Sequence, residues 1–120
     1  MAVLRIVPDL MTKDVAALRQ FYEGLFGLSP AMDMGWIATL TSAGQQGVQI
    51  SLASEGGSGA PVPHLSIEVD DLDAVYDRAT AQGHAITYPL TTEPWGVRRF
   101  FLRDPDGRIL NILSHTDRSA

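Results

Sequence analysis

Apolar positions along this chain follow two periods. In two stretches they recur at helical spacing: Val15, Leu18, Tyr22 and Leu25 share one face, and Leu72, Val75, Tyr76 and Ala79 share another. Asp14 and Asp71 stand at the starts of these stretches, where a carboxylate accepts from free N–H groups and meets the positive end of the helix dipole. Gly27 and Gly83 mark their ends. Elsewhere the period shortens to that of strands. Residues 4–7 precede the first helix and residues 64–69 the second; in the latter, Leu65, Ile67 and Val69 alternate strictly with His64, Ser66 and Glu68. Further strands are expected at 31–34, 35–41 and 47–53 in the first half, and at 84–89, 97–103 and 108–114 in the second.

The two halves are related. Thr12-Lys13-Asp14-Val15-Ala16-Ala17-Leu18 and Val69-Asp70-Asp71-Leu72-Asp73-Ala74-Val75 align at an offset of 57. Each half reads strand–helix–strand–strand–strand. Turn-rich segments at 42–46 and 104–107 separate the last two strands of each half, and the Gly/Ser/Pro-rich segment 55–63 joins the halves. A half of about 55–60 residues has a marginal core alone. The expected organisation is therefore one domain over residues 1–120, with one module at about 1–56 and the other at about 60–120.

Composition narrows the function classes. The chain has no cysteine, which excludes a disulfide framework, a thiolate metal site and a cysteine nucleophile. Nine Lys+Arg against 14 Asp+Glu give a formal charge of −5, which argues against a broad nucleic-acid footprint. No apolar run approaches the ~18 residues of a membrane span, and Met1-Ala2-Val3-Leu4-Arg5 lacks the apolar core of a secretory signal. A cytoplasmic protein without membrane or nucleic-acid partners is expected.

Strand alternation also sorts polar candidates onto shared faces. His64, Ser66 and Glu68 oppose Leu65, Ile67 and Val69; Gln49, Ser51 and Ala53 oppose Val48, Ile50 and Leu52; Asn111 shares a face with Ile109, Leu113 and His115. Turned inward, such faces line a cavity; turned to water, they are the solvated side of a sheet. Trp36, Trp95 and the run Trp95-Gly96-Val97-Arg98-Arg99-Phe100-Phe101 favour a cavity, because ligand pockets combine aromatic bulk with a few polar groups. Trp95, between Pro94 and Gly96, could stack on a planar ligand or pack on the sheet edge. Trp36 is placed on a strand with Ala38 and Leu40, where core membership competes with a pocket role. Arg98 and Arg99 point to opposite faces, so at most one meets a ligand while the other forms a surface ion pair. Glu68 reads mainly as a solvated strand-end residue, and Asn111 needs partners if buried. Asp104-Pro105-Asp106-Gly107 reads as a turn, since the rest of a calcium loop is missing.

Taken together, Phe21-Tyr22, Leu25-Phe26-Gly27-Leu28, the stretch His64 to Ala74, Gly83, Pro94-Trp95-Gly96 and Asp104-Pro105-Asp106-Gly107-Arg108 resemble the vicinal oxygen chelate superfamily, also called the glyoxalase/bleomycin resistance/dioxygenase superfamily. The resemblance implies an α+β fold of two βαβββ modules whose curved mixed sheets surround a cavity. Many enzymes of the superfamily hold a divalent metal there, on ligands from the first, fourth, fifth and eighth strands. By the same resemblance those positions fall here at Val7, Ser51 (with Gln49 as the register alternative), His64 and Asn111. Only His64 is a good ligand, and a catalytic zinc normally takes three protein ligands. Asp9, His84 and His115 are further candidates without matching positions.

The departure shifts the expectation toward the branch resembling bleomycin resistance proteins, which bind a drug without changing it, in a pocket usually formed between two subunits. The ligand-binding set is then Trp36, Gln49, Ser51, His64, Trp95, Arg98 and Asn111; no cofactor is expected, and the partners are a small molecule and a second copy of the chain. The alternative is a metal-dependent lyase/isomerase or dioxygenase of the same superfamily, with His64 as the one candidate catalytic residue and a divalent metal as cofactor. A partner-binding module ranks lowest, since no exposed interaction segment stands out.

Overall fold

The computed structural model describes residues 2–42 and 49–116. In chain order it comprises β1 (Val3–Met11), α1 (Val15–Phe26), β2 (Ser29–Asp33), β3 (Ile37–Thr41), β4 (Gln49–Ala53), β5 (Leu65–Val69), α2 (Leu72–Ala81), β6 (Ile86–Glu93), β7 (Val97–Arg103) and β8 (Ile109–His115). The strand–helix–strand–strand–strand order occurs twice, as the repeat predicts. All of the expected turn at 42–46 except residue 42, and the start of the fourth strand at 47–48, lie outside the described residues.

Both helices begin and end for the reasons read from the sequence. The Asp14 and Asp71 carboxylates accept from the N–H groups of Ala17 and Ala74, each at 3.0 Å. Gly27 closes α1 in the left-handed region at φ 69°, and Gly83 follows α2 at φ 76°. The strand bounds differ more. The first strand runs to Met11 rather than stopping at Val7, because the residues after Pro8, Asp9 to Met11, pair in parallel with Ser51 to Ala53 of β4. Trp36 is not on a strand: it sits in the bend after Gly35, and β3 starts at Ile37. His64 stands just before β5.

The chain divides into two compact units, Met1–Ile6 with Pro63–Ala120, and Val7–Val62, so β1 contributes to both. In the former the strand order is β1-β5-β8-β7-β6, with β5 and β8 parallel and the other pairs along β8-β7-β6 antiparallel. In the latter it is β2-β3-β4-β1, with β4 and β1 parallel. These are the mixed sheets of an α+β fold, and each carries a helix on one face. Val69, Leu72, Ala79, Phe100 and Ile112 form the buried helix-side core of the former; Val15, Ala38, Leu40 and Leu52 form that of the latter.

The Gly-rich joining segment is a tight loop. Gly56 donates to the Ala60 carbonyl at 2.7 Å, and Ala60 donates back to Gly57 at 3.0 Å. A Cβ on Gly56 would lie 2.1 Å from the Pro61 carbonyl oxygen, so only glycine allows this approach.

Candidate functional site

With the helices taking the apolar parity of each strand, the opposite parity carries the polar groups. In the unit of Val7–Val62 these are Asp9, Ser51 and Thr39, which are register neighbours across β1, β4 and β3 and all buried. The Thr39 and Ser51 hydroxyls lie 2.7 Å apart in a hydrogen bond. Val7 is buried on the same side of β1 as Asp9, and Gln49 is half-buried at the start of β4.

In the other unit the face away from α2 is denser in chemistry. Asn111 on β8 faces Ser66 on one side and Phe101 on the other. Its Nδ2 donates to Ser66 Oγ at 3.1 Å. Its Oδ1 is buried and accepts no hydrogen bond among the described residues, although the residue is 9% exposed. A buried amide oxygen normally has a partner, so this atom is open to a donor beyond the described residues.

Next to it, Arg99 enters from β7. Its guanidinium meets the Glu93 carboxylate at 2.7 Å, and both side chains are buried. Tyr88 donates its hydroxyl to the same carboxylate at 2.9 Å. The guanidinium carbon lies 4.9 Å from the ring centres of Tyr88 and Phe101 and 5.1 Å from that of Trp95. Three rings and one carboxylate thus surround a single cation, an arrangement suited to the planar, weakly hydrated guanidinium.

The third group is Glu68 on β5. It is fully buried, not a solvated strand end as expected. Arg5 Nε donates to one carboxylate oxygen at 2.6 Å and His115 Nδ1 lies 2.9 Å from the other. Burial alone would raise the Glu68 pKa, but the hydrogen bonds from His115 and Arg5 outweigh it and hold the carboxyl below its usual range. An ionised carboxylate only accepts, so His115 Nδ1 carries the proton, and in the neutral ring Nε2 is left as an acceptor on a partly exposed side chain.

The expected site residues therefore separate. Asn111, Trp95 and Ser51 lie on or beside the polar faces. Arg98 does not: it pairs with Asp73 of α2 at 2.7 Å, so the helix side takes it, and strand parity gives the polar face to Arg99 instead. His64 is exposed, and its Nδ1 accepts the Ile109 N–H at 3.1 Å. With that lone pair engaged, the neutral ring's proton is on Nε2, and neither nitrogen is open to a metal. Trp36 is half-buried in its bend, where its carbonyl accepts from the Ser54 N–H at 2.9 Å.

In the sequence Ser66 reads only as part of a polar strand face and Phe101 only as part of an aromatic run, and Tyr88, Glu93 and Arg5 do not stand out as site residues. The signal for Glu93 was present in the hairpin. A three-residue turn at Pro94-Trp95-Gly96 sets Glu93 opposite Val97, one diagonal step from Arg99 on the same face. Arg5 left no such signal, because its partner is 63 residues away.

A divalent metal of the kind the resemblance implies does not fit these donors. Val7 offers no ligand atom, Ser51 and Asn111 are neutral, His64 is engaged, and no three His, Asp or Glu side chains converge among the described residues.

Fold and site together define a small α+β protein of duplicated βαβββ modules with a polar, aromatic-rich sheet face. The chain belongs to the glyoxalase/bleomycin resistance protein/dioxygenase superfamily, whose sequence pattern matches residues 3–112. It is 27% identical over 111 residues to "Putative glyoxylase CFP32" of Mycobacterium tuberculosis and of Mycobacterium bovis, covering 87% of this chain but spanning only 42% of theirs. Among solved structures, a superfamily member from Vibrio splendidus aligns with TM-score 0.67 at 21% identity, covering 94% of this chain and 99% of the other. Streptomyces coelicolor methylmalonyl-CoA epimerase in complex with 2-nitronate-propionyl-CoA aligns with TM-score 0.72 at 17% identity, covering 99% of each. These structural likenesses concern the fold. Among the described residues, no helix is long and apolar enough to cross a membrane.

Proposed function

We propose that this chain is a small-molecule-binding member of the superfamily, and that its ligand lies on the Asn111–Arg99 face without being chemically changed, as in antibiotic sequestration. The observation that carries the reading is the buried Asn111 Oδ1, which accepts no hydrogen bond among the described residues, beside an aromatic group of Tyr88, Trp95 and Phe101. A ligand that donates one hydrogen bond and offers a planar apolar body satisfies both features.

Bleomycin is a direct probe. A ligand at 100 times its Kd stabilises the folded state by about 2.7 kcal/mol, which shifts the melting temperature by several degrees. The shift is expected in metal-free wild-type protein and is expected to shrink in Asn111→Ala. An equal shift in that variant removes Asn111 from the site. A second copy of the chain is the proposed protein partner, supported by the exposed Leu4, Ile6, Phe21, Leu25 and Phe26. Light scattering that gives the monomer mass at tens of micromolar refutes the dimer.

The second reading is an enzyme of the same superfamily. What favours it is His115, oriented by the buried Glu68 carboxylate through Nδ1, which makes Nε2 the acceptor of the neutral ring, the setting of a general base. Turnover lost in His115→Ala with binding retained supports this reading. Elemental analysis showing stoichiometric metal supports a metal-dependent form of it.

A further inference from the structure

Register sets Ser66, Asn111, Phe101 and Tyr88 in one row across β5, β8, β7 and β6. Asn111 is the member of that row left half-satisfied. Its Nδ2 donates to Ser66 Oγ at 3.1 Å. Its Oδ1, on a residue only 9% exposed, accepts nothing among the described residues. An asparagine amide has a donor end and an acceptor end, and turning it over exchanges them. By holding Nδ2, Ser66 leaves the acceptor end for whatever lies on the face.

The charges around the row narrow what that is. Arg99 meets Glu93 at 2.7 Å and lies 4.9 to 5.1 Å from the centres of three rings. Those rings already face one cation, so a second cation against them meets like charge. An amidinium or ammonium would also give up its water for a single neutral acceptor. Toward β5, the Glu68 carboxylate is held by Arg5 and His115, and buried Leu113 stands between Glu68 and Arg99 in the register. Arg103 shares the face two residues beyond Phe101 but is exposed to water. A carboxylate ligand, for its part, has no proton to donate to Oδ1. An uncharged N–H or O–H is the donor that remains. The Tyr88 and Phe101 rings, 5.0 Å apart between centres, give it an aromatic floor.

We propose that the part of the ligand meeting this row is an uncharged, planar hydrogen-bond donor, an aromatic N–H or O–H, and that Ser66 is the positioning residue that sets this choice. The proposal rests on the small-molecule-binding reading and adds the chemical class of the ligand to it. Asn111 makes the contact; Ser66 acts only through the orientation of the Asn111 amide.

Indole is the probe. Benzofuran keeps its shape but carries an acceptor oxygen in place of the N–H, and benzamidinium keeps a planar donor but adds charge. Each is titrated into the full chain and followed by NMR of the backbone amides and of the Asn111 side-chain amide. Indole is expected to give saturable shifts at Ser66, Phe101 and Asn111, and to bind at least about tenfold more tightly than either analogue. In Ser66→Ala the amide is free to turn, so the preference for indole over benzofuran should fall to within about twofold; Ser66→Thr keeps the hydroxyl and should restore it. Ser66 is half-buried, and the same spectra report that both variants are folded. Benzofuran binding as tightly as indole overturns the donor class, and benzamidinium binding as tightly overturns its neutrality. An unchanged preference in Ser66→Ala, or an equal loss of both probes, overturns the positioning role. If bleomycin stabilises the protein while indole has no preference or does not bind, this proposal fails alone. If neither bleomycin nor any probe binds, the binding reading fails with it.

Discussion

Replacing Arg99 tests the organisation of the polar face most directly. Arg99→Met keeps length and apolar bulk but removes the cation from a carboxylate whose side chain is only 3% exposed. Tyr88 still donates to Glu93 at 2.9 Å, yet one neutral hydroxyl does not offset a buried negative charge. Losing one partner of a buried pair costs about 3–5 kcal/mol. Each ring lost to the guanidinium adds roughly 0.5–2 kcal/mol before the methionine regains some sulfur–aromatic contact.

Urea denaturation followed by circular dichroism measures the effect. With a slope of about 2 kcal/mol/M, the middle of the usual range, a loss of about 3–5 kcal/mol lowers the midpoint by about 1.5–2.5 M. The double variant Arg99→Met/Glu93→Met should recover most of the loss, because removing both charges also removes their desolvation. Arg99→Lys should lie between, since an ammonium cannot spread over three rings. A loss under about 1 kcal/mol in Arg99→Met refutes the reasoning, and so does a double variant costing the sum of the single ones.

Three further outcomes follow from local geometry. Glu68 has a depressed pKa in the folded state, so its contribution is present above its ordinary pKa and is lost as pH falls through the folded value; Glu68→Gln should flatten stability against pH below about 5, and an unchanged acid limb in a denaturation series would contradict this. Gly56→Ala should destabilise by about 1–3 kcal/mol or reshape residues 56–61, because its Cβ meets the Pro61 carbonyl; a wild-type melting temperature with an unchanged spectrum would refute the tight loop. Asp71→Ala removes the cap on Ala74 and should cost about 1 kcal/mol, read by chemical denaturation, whereas Asp71→Asn should cost little.

Local signals carried much of the architecture. The helices, their capping aspartates and terminal glycines depend on contacts within four residues, so they are legible in the chain itself. The duplicated strand order is legible as well, because each module repeats the same sequence of periods. Strand ends were less legible: pairing with β4 extends β1 past Pro8, and the bend at Gly35 holds Trp36 off β3.

The site depended on what local sequence cannot encode. Alternation alone places Arg98 and Arg99 on opposite faces but cannot say which face a helix covers. The packing of α2 decides it, by setting Asp73 beside Arg98 and leaving Arg99 to Glu93 and the three rings. Glu68 reads as a solvated residue until β5 lies between Arg5 on β1 and His115 on β8, partners 63 and 47 residues away. The sequence by itself determined the modules, the helix ends and the parity of each strand, because these rest on backbone geometry and neighbours a few residues apart. Only tertiary structure decided which polar residues are buried together, because charge pairing and burial are settled by sheet register between distant segments.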